Sequence, residues 1–162
     1  MVRVGIIGCG KIAQVRHIPE YLDNPNAKLT GLYDLNLQRA KNLAEKYGCK
    51  SYESIEEMLA DPEIDAVSVC VANHVHAEIT IAALKAGKHV LCEKPMATTL
   101  KDCQMMVDTA EQMGKKLMIG QNQRFAKAHA EAKKIIERGD IGSVLTFKTT
   151  FGHGGPETWS VD

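Results

Sequence analysis

Val2-Arg3-Val4-Gly5-Ile6-Ile7-Gly8-Cys9-Gly10-Lys11-Ile12-Ala13 opens the chain, and its reading decides the fold. Val2–Ile7 is a short apolar run, which predicts a strand. Gly8-x-Gly10-x-x-Ala13 follows at once, and a helix is predicted from about Lys11, disturbed at Pro19. A strand that turns through glycines into a helix can cradle phosphates. Gly8 allows the tight turn, Gly10 lets the backbone approach a pyrophosphate, and Ala13 allows close helix–strand packing. The helix aims its free N–H groups and positive dipole end at the same place. Such glycine motifs are weak alone, so the next strand matters. Asp34 ends it, 21 residues after Ala13 and close to the separation of about 20 expected of a ribose-binding acid.

Gly8, Cys9, Gly10, Lys11, Ile12, Ala13 and Asp34 are therefore the candidate dinucleotide-binding residues. A carboxylate at Asp34 accepts from both adenosine-ribose hydroxyls and repels a 2′-phosphate. Leu35 and Asn36 follow it, with no immediate cation, so NAD is expected in preference to NADP. Arg39 is read as a solvated helix charge, with contact to a 2′-phosphate as the other reading.

Outward from this motif the chain alternates strands and helices. Strands are predicted at Lys28–Tyr33, Ala66–Val71, His89–Cys92, Lys116–Ile119 and Val144–Phe151. Helices are predicted over Asn36–Tyr47, from the Ser54/Glu57 capping box to Leu59, from His76 to Ala86, around Leu100–Ala110, and over Ala128–Arg138. Gly87, Gly114 and Gly139 mark helix ends. The alternation predicts an α/β fold: a Rossmann-type, doubly wound parallel sheet with helices on both faces. Ligands of such sheets bind outside the carboxyl ends of the strands.

Composition narrows the function classes. Of 162 residues, 44% are hydrophobic and 25% charged, which excludes collagen-like, disordered and disulfide-scaffold classes. Twenty basic residues balance twenty acidic ones, and no basic run would hold a phosphate backbone, so no nucleic-acid partner is expected. No apolar run reaches about 18 residues, so no membrane span is expected. The N-terminus lacks the pattern of a secretory signal. Five cysteines, odd in number and never spaced C-x-x-C, suit reduced thiols in a cytoplasm.

The later strand ends add candidates for chemistry. Asn73, after the third long strand, can donate and accept toward a ribose or carboxamide. Glu93-Lys94-Pro95 follows the next strand, and Lys94 is the candidate catalytic cation, able to orient a hydroxyl or stabilise a developing alkoxide. His74 and His76 stand two apart with no third ligand of suitable spacing, so no metal is expected. His76 is read as capping or packing at the start of its helix, with contact to cofactor as the other reading.

Taken in order, the glycine loop, Asp34, Asn73-x-x-His76, Glu93-Lys94-Pro95, Asn122-Gln123-Arg124-Phe125 and Gly139-Asp140-Ile141-Gly142 resemble the Gfo/Idh/MocA oxidoreductase family. One departure is Val71-Ala72-Asn73, where the family often has Thr-Pro-Asn. The resemblance implies NAD(P)-dependent hydride transfer on sugars, inositols and related polyols, with a small-molecule substrate. It implies that Lys94 helps bind nicotinamide ribose and substrate, that Glu93 meets the nicotinamide end, and that Lys94–Pro95 is cis. It also implies that His17 lines or packs near the cofactor cleft, that Arg124 meets a substrate or cofactor oxygen or an interdomain carboxylate, and that Trp159 belongs to the second domain's substrate wall. It divides the chain into a cofactor domain, 1–122, and a crossover helix leading into a second domain, 123–162. The group that moves the hydroxyl proton then belongs to that second domain, as does assembly of the parent enzyme into homo-oligomers. The 162 residues are accordingly expected to bind NAD(H) and to turn over little by themselves. An NAD-dependent glycosidase and a non-catalytic NAD-binding regulatory module are the alternative functions.

Overall fold

The computed structural model describes residues 1–150 and 152. Six parallel strands form one sheet: β1 (Val2–Ile7), β2 (Ala27–Tyr33), β3 (Lys50–Ser51), β4 (Ala66–Val69), β5 (His89–Cys92) and β6 (Leu117–Ile119). Their order is β3-β2-β1-β4-β5-β6, so the chain reverses its winding between β1 and β4. This is the doubly wound Rossmann arrangement that the alternation of elements predicts. Register aligns the carboxyl ends: Ile7 pairs with Val69, and Val69 with Cys92. Gly8, Cys70 and Glu93 therefore leave the sheet side by side.

Ile6 and Ile7 show why both faces must be covered. Successive strand residues point to opposite faces. Both side chains are fully buried, Ile6 among Ile18, Leu29 and Leu32, and Ile7 among Val67, Leu84, Val90 and Met106. Each such burial stabilises by about 1.5–3 kcal/mol. Amphipathic helices close the two layers: α1 (Ile18–Asp23), α2 (Leu37–Tyr47), α3 (Ile55–Ala60), α4 (His76–Lys85) and α5 (Leu100–Gln112). Asn36, Ser54 and Thr99 cap α2, α3 and α5 by accepting from the backbone N–H groups of Arg39, Glu57 and Asp102. In α3 the return bond shifts by one residue, since Glu57 accepts from Glu53 N.

The first helix departs from expectation in an informative way. The irregularity is a π turn, Ala13–His17, lying before Pro19 and not at it. Ile18 N–H reaches back five residues to Ala13 O. Pro19 then sits in the first turn of α1, where a missing N–H is tolerated. At the amino ends of the strands, away from the glycine loop, Lys88 is buried and donates to the carbonyls of Asp61 and Ile64 at 2.7 and 2.8 Å. Arg3 bridges Asp65 at 2.6 Å.

Two compact units divide near Gly120. The second unit holds a short 3-10 turn, Asn122–Phe125, and α6 (Lys127–Glu137). The strand expected at Val144–Phe151 is not formed over its described residues. Val144, Leu145 and Phe147 are exposed at 47, 93 and 78%, and no ladder partner stands beside them. An alternating sequence becomes a strand only where a neighbour takes its N–H and C=O groups. Phe151 and Trp159 lie outside the described residues.

Candidate functional site

The site is built at the ends of β1, β4 and β5. Gly8 turns with φ +92°, and its N–H donates to Tyr33 O at 2.8 Å. A Cβ there would stand 2.5 Å from Cys70 O, so the close approach of the chain just past β1 to that just past β4 admits only glycine. Gly10 differs: a Cβ there meets no protein atom within 4 Å. The space over Gly10 is what a pyrophosphate needs, and the residues present fit a dinucleotide. Ala13 is fully buried and packs the helix onto the sheet.

Asp34 is tied to this loop, not merely near it. Its Oδ2 accepts from Cys9 N at 2.6 Å, and its Oδ1 accepts from Asn36 N at 2.8 Å. A carboxylate has about four acceptor positions, so capacity remains for ribose hydroxyls. Arg39 corrects the solvated reading: its side chain is 22% exposed and its Nη1 lies 3.6 Å from Asp34 Oδ1. The cause is the Asn36 cap, which seats the first turn of α2 against the carboxylate. Gln14, which sequence reasoning missed, donates from Nε2 to Cys9 O at 2.8 Å and so braces the loop from the helix side.

Cys9 enters only through its backbone. Its side chain is fully buried, Sγ donates to Tyr33 O at 3.5 Å, and burial pushes the thiol up to about 12. Its N–H belongs to Asp34. Cys70 is likewise held protonated by burial, and all five cysteines are free thiols. Among the described residues no cluster of three His, Cys, Asp or Glu is placed to hold a metal, and no helix is long and apolar enough to cross a membrane.

Asn73 and Lys94 are exposed at the ends of β4 and β5. His76 occupies a different place from the cofactor contact expected of it. It is 1% exposed, its Nδ1 lies 2.7 Å from Pro95 O and its Nε2 3.1 Å from Val71 O. A ring so enclosed offers no surface to a ligand; it staples the two loops that carry Asn73 and Lys94. The Lys94–Pro95 bond is cis.

Glu93 faces inward. Its Oε1 lies 2.9 Å from His17 Nε2, and its Oε2 accepts from Lys94 N at 3.1 Å. Tyr21, one turn beyond His17, places its hydroxyl 2.6 Å from Ser68 Oγ, inside β4. The available signal was three polar residues, Gln14, His17 and Tyr21, at helical spacing on a helix that must pack against a sheet. The His17 hydrogen bond, opposed by burial, holds Glu93 below the usual carboxylate range. A carboxylate whose folded value is lowered contributes stability in full above its unfolded value, about 4.3, and loses it as pH falls through the folded value. Below about pH 4.3, native protein should therefore lose stability more steeply than His17→Leu, in thermal melts across the acid range. Parallel acid limbs would mean that the bond contributes nothing.

Residues 2–121 match the family model described as "Oxidoreductase family, NAD-binding Rossmann fold", Gfo/Idh/MocA. The chain belongs to this family. Among similar proteins, this Gfo/Idh/MocA chain is 36% identical to the glucose-6-phosphate 3-dehydrogenase of Bacillus subtilis, over 93% of this chain and 42% of the relative. It is 34% identical to the myo-inositol 2-dehydrogenase of Thermotoga maritima, over 92% and 45%. A 3-ketoreductase of Actinomadura kijaniata, solved with NADP and TDP-benzene, superposes with a TM-score of 0.80 at 32% identity, covering 85% of this chain and 44% of that one. The Gfo/Idh/MocA chain thus spans less than half the length of these relatives.

Proposed function

We propose that this chain is the cofactor-binding part of an NAD(P)-dependent dehydrogenase acting on a hydroxyl-bearing carbon of a sugar, inositol or related polyol. One observation carries the reading: Asp34 is bonded to the glycine loop at one side of the switch point, and Lys94 is exposed at the strand end on the other. The adenosine ribose is assigned to the first and the reacting hydroxyl to the second, on opposite sides of the β1/β4 switch point. The relatives whose names specify glucose 6-phosphate and myo-inositol support the substrate class.

When bound, the nicotinamide ring supplies the hydride acceptor. Lys94 orients the substrate oxygen and opposes the negative charge that grows on it. Asn73 donates and accepts toward the ribose or carboxamide. Glu93, charged and held by His17, fixes the strand end from which Lys94 projects. The residue that takes the hydroxyl proton is assigned to the second domain of the parent enzyme, in keeping with the family resemblance.

NAD is the proposed cofactor, because the Asp34 side chain stands where a 2′-phosphate would lie. Arg39 moderates its repulsion of that phosphate without removing it. Titration calorimetry of the chain with NADH and NADPH tests this: NADH should bind tighter by about tenfold, or about 1.4 kcal/mol. Tighter NADPH binding reverses the cofactor assignment, and binding of neither sinks the functional reading. Lys94→Ala should weaken NADH by about three- to tenfold while melting as the native chain does.

A further inference from the structure

The helix that begins at the phosphate cradle also reaches the lysine loop. Its first turn follows Gly10, and its π turn, Ala13–His17, ends on a histidine that faces β5. His17 and Glu93 form an enclosed pair, with side chains 9 and 15% exposed and 2.9 Å between Nε2 and Oε1. Glu93 Oε2 then accepts the backbone N–H of Lys94 at 3.1 Å. A Cβ on Gly120, at the end of β6, would stand only 3.3 Å from the Glu93 carboxylate, so the acid is confined on that side too. The Tyr21 ring, 6.3 Å from the His17 ring, closes the pair from the helix, and its hydroxyl is anchored to Ser68. Besides His17, the Lys94 ammonium and the thiols of Cys70 and Cys92 face Glu93 among the described residues, and both thiols are held protonated by burial.

A continuous set of bonds thus runs from the helix at the glycine loop, through His17 and the Glu93 carboxylate, to the backbone of Lys94. A confined carboxylate follows the side chain that hydrogen-bonds it, here His17. We propose that His17 is a positioning residue, which sets the nicotinamide end of the site from the helix that holds the pyrophosphate. The inference rests on the reading of Lys94 and Glu93 as the nicotinamide end. It adds that their placement depends on a residue 76 positions earlier in sequence.

Two ligands separate this role from ordinary packing. ADP-ribose carries the adenosine, pyrophosphate and second ribose but lacks nicotinamide; NADH carries all four. In the native chain both should bind. His17→Leu should raise the Kd for NADH about tenfold and leave ADP-ribose within about twofold. His17→Gln keeps an N–H donor and should recover most of the NADH affinity. Glu93→Gln added to His17→Leu should weaken NADH little further, because the two residues act as one unit. Equal weakening of both ligands in His17→Leu, with a lowered melting temperature, would make the pair a packing feature and overturn the proposal. So would His17→Gln behaving as His17→Leu does, or His17→Leu binding NADH as the native chain does. A native chain that binds neither ligand would instead overturn the functional reading beneath it.

Discussion

Gly10→Ala should melt with the native chain yet bind NAD(H) about tenfold to a hundredfold more weakly. Gly8→Ala should do the opposite first: it should lose on the order of 3 kcal/mol or more of folding stability, before any question of ligand arises. The two glycines stand two residues apart in one motif, and the structure separates their reasons. At Gly8 the backbone has φ +92°, and an added Cβ would be driven to 2.5 Å from the Cys70 carbonyl oxygen. Neither that carbonyl nor the strand behind it can yield, because Cys70 N is itself bonded to Ile7 O at 2.8 Å. At Gly10 the added methyl meets no atom of the chain. The expected loss of affinity there comes from the methyl meeting the pyrophosphate of a bound cofactor. Urea unfolding and calorimetry on both variants check the contrast; a Gly10→Ala protein of native affinity would show that the pyrophosphate does not pass over this residue.

Asp34→Ala should have the second large effect, and on two properties together. Removing the carboxylate strands the buried Cys9 N–H and leaves Arg39 without the partner 3.6 Å away. A buried donor left unsatisfied costs about 1–3 kcal/mol, so the midpoint of urea unfolding should fall visibly. NADH affinity should drop by more than about tenfold, since ribose hydroxyls and loop geometry are lost at once. NADPH should lose less, because the charge opposing its 2′-phosphate is gone and Arg39 remains. A variant with native stability would mean that the 2.6 Å bond to Cys9 is replaceable by water. An unchanged NADH-to-NADPH ratio would remove Asp34 from cofactor choice.

Much of this site was legible beforehand because it is local. Gly8, Gly10 and Ala13 fall within one strand–helix turn, and each strand end announces its loop by a change of period. The contacts that organise the site are not local. Asp34 grips Cys9 across 25 residues and His17 grips Glu93 across 76. No periodicity connects such positions; the parallel register does, by bringing the ends of β1, β4 and β5 level. His76 illustrates the same limit. Its place in a motif suggested helix packing or capping, with cofactor contact as the other reading; the structure makes it a buried staple between two carbonyls. Arg39 looked like any solvated residue of a helix until the Asn36 cap turned it onto Asp34.

By itself, then, the order of residues determined the fold class, the dinucleotide motif and the candidate lysine, because alternating periods and short turns are properties of neighbours in the chain. The exception was Val144–Phe151, whose alternation predicts a strand that the described residues leave unpaired. Tertiary structure alone decided which polar groups face each other. It spent the Cys9 N–H on Asp34, enclosed His76, and set His17 against Glu93. The physical reason is burial: a polar group taken from water must find a partner wherever the packed sheet and helices place one, however distant in sequence.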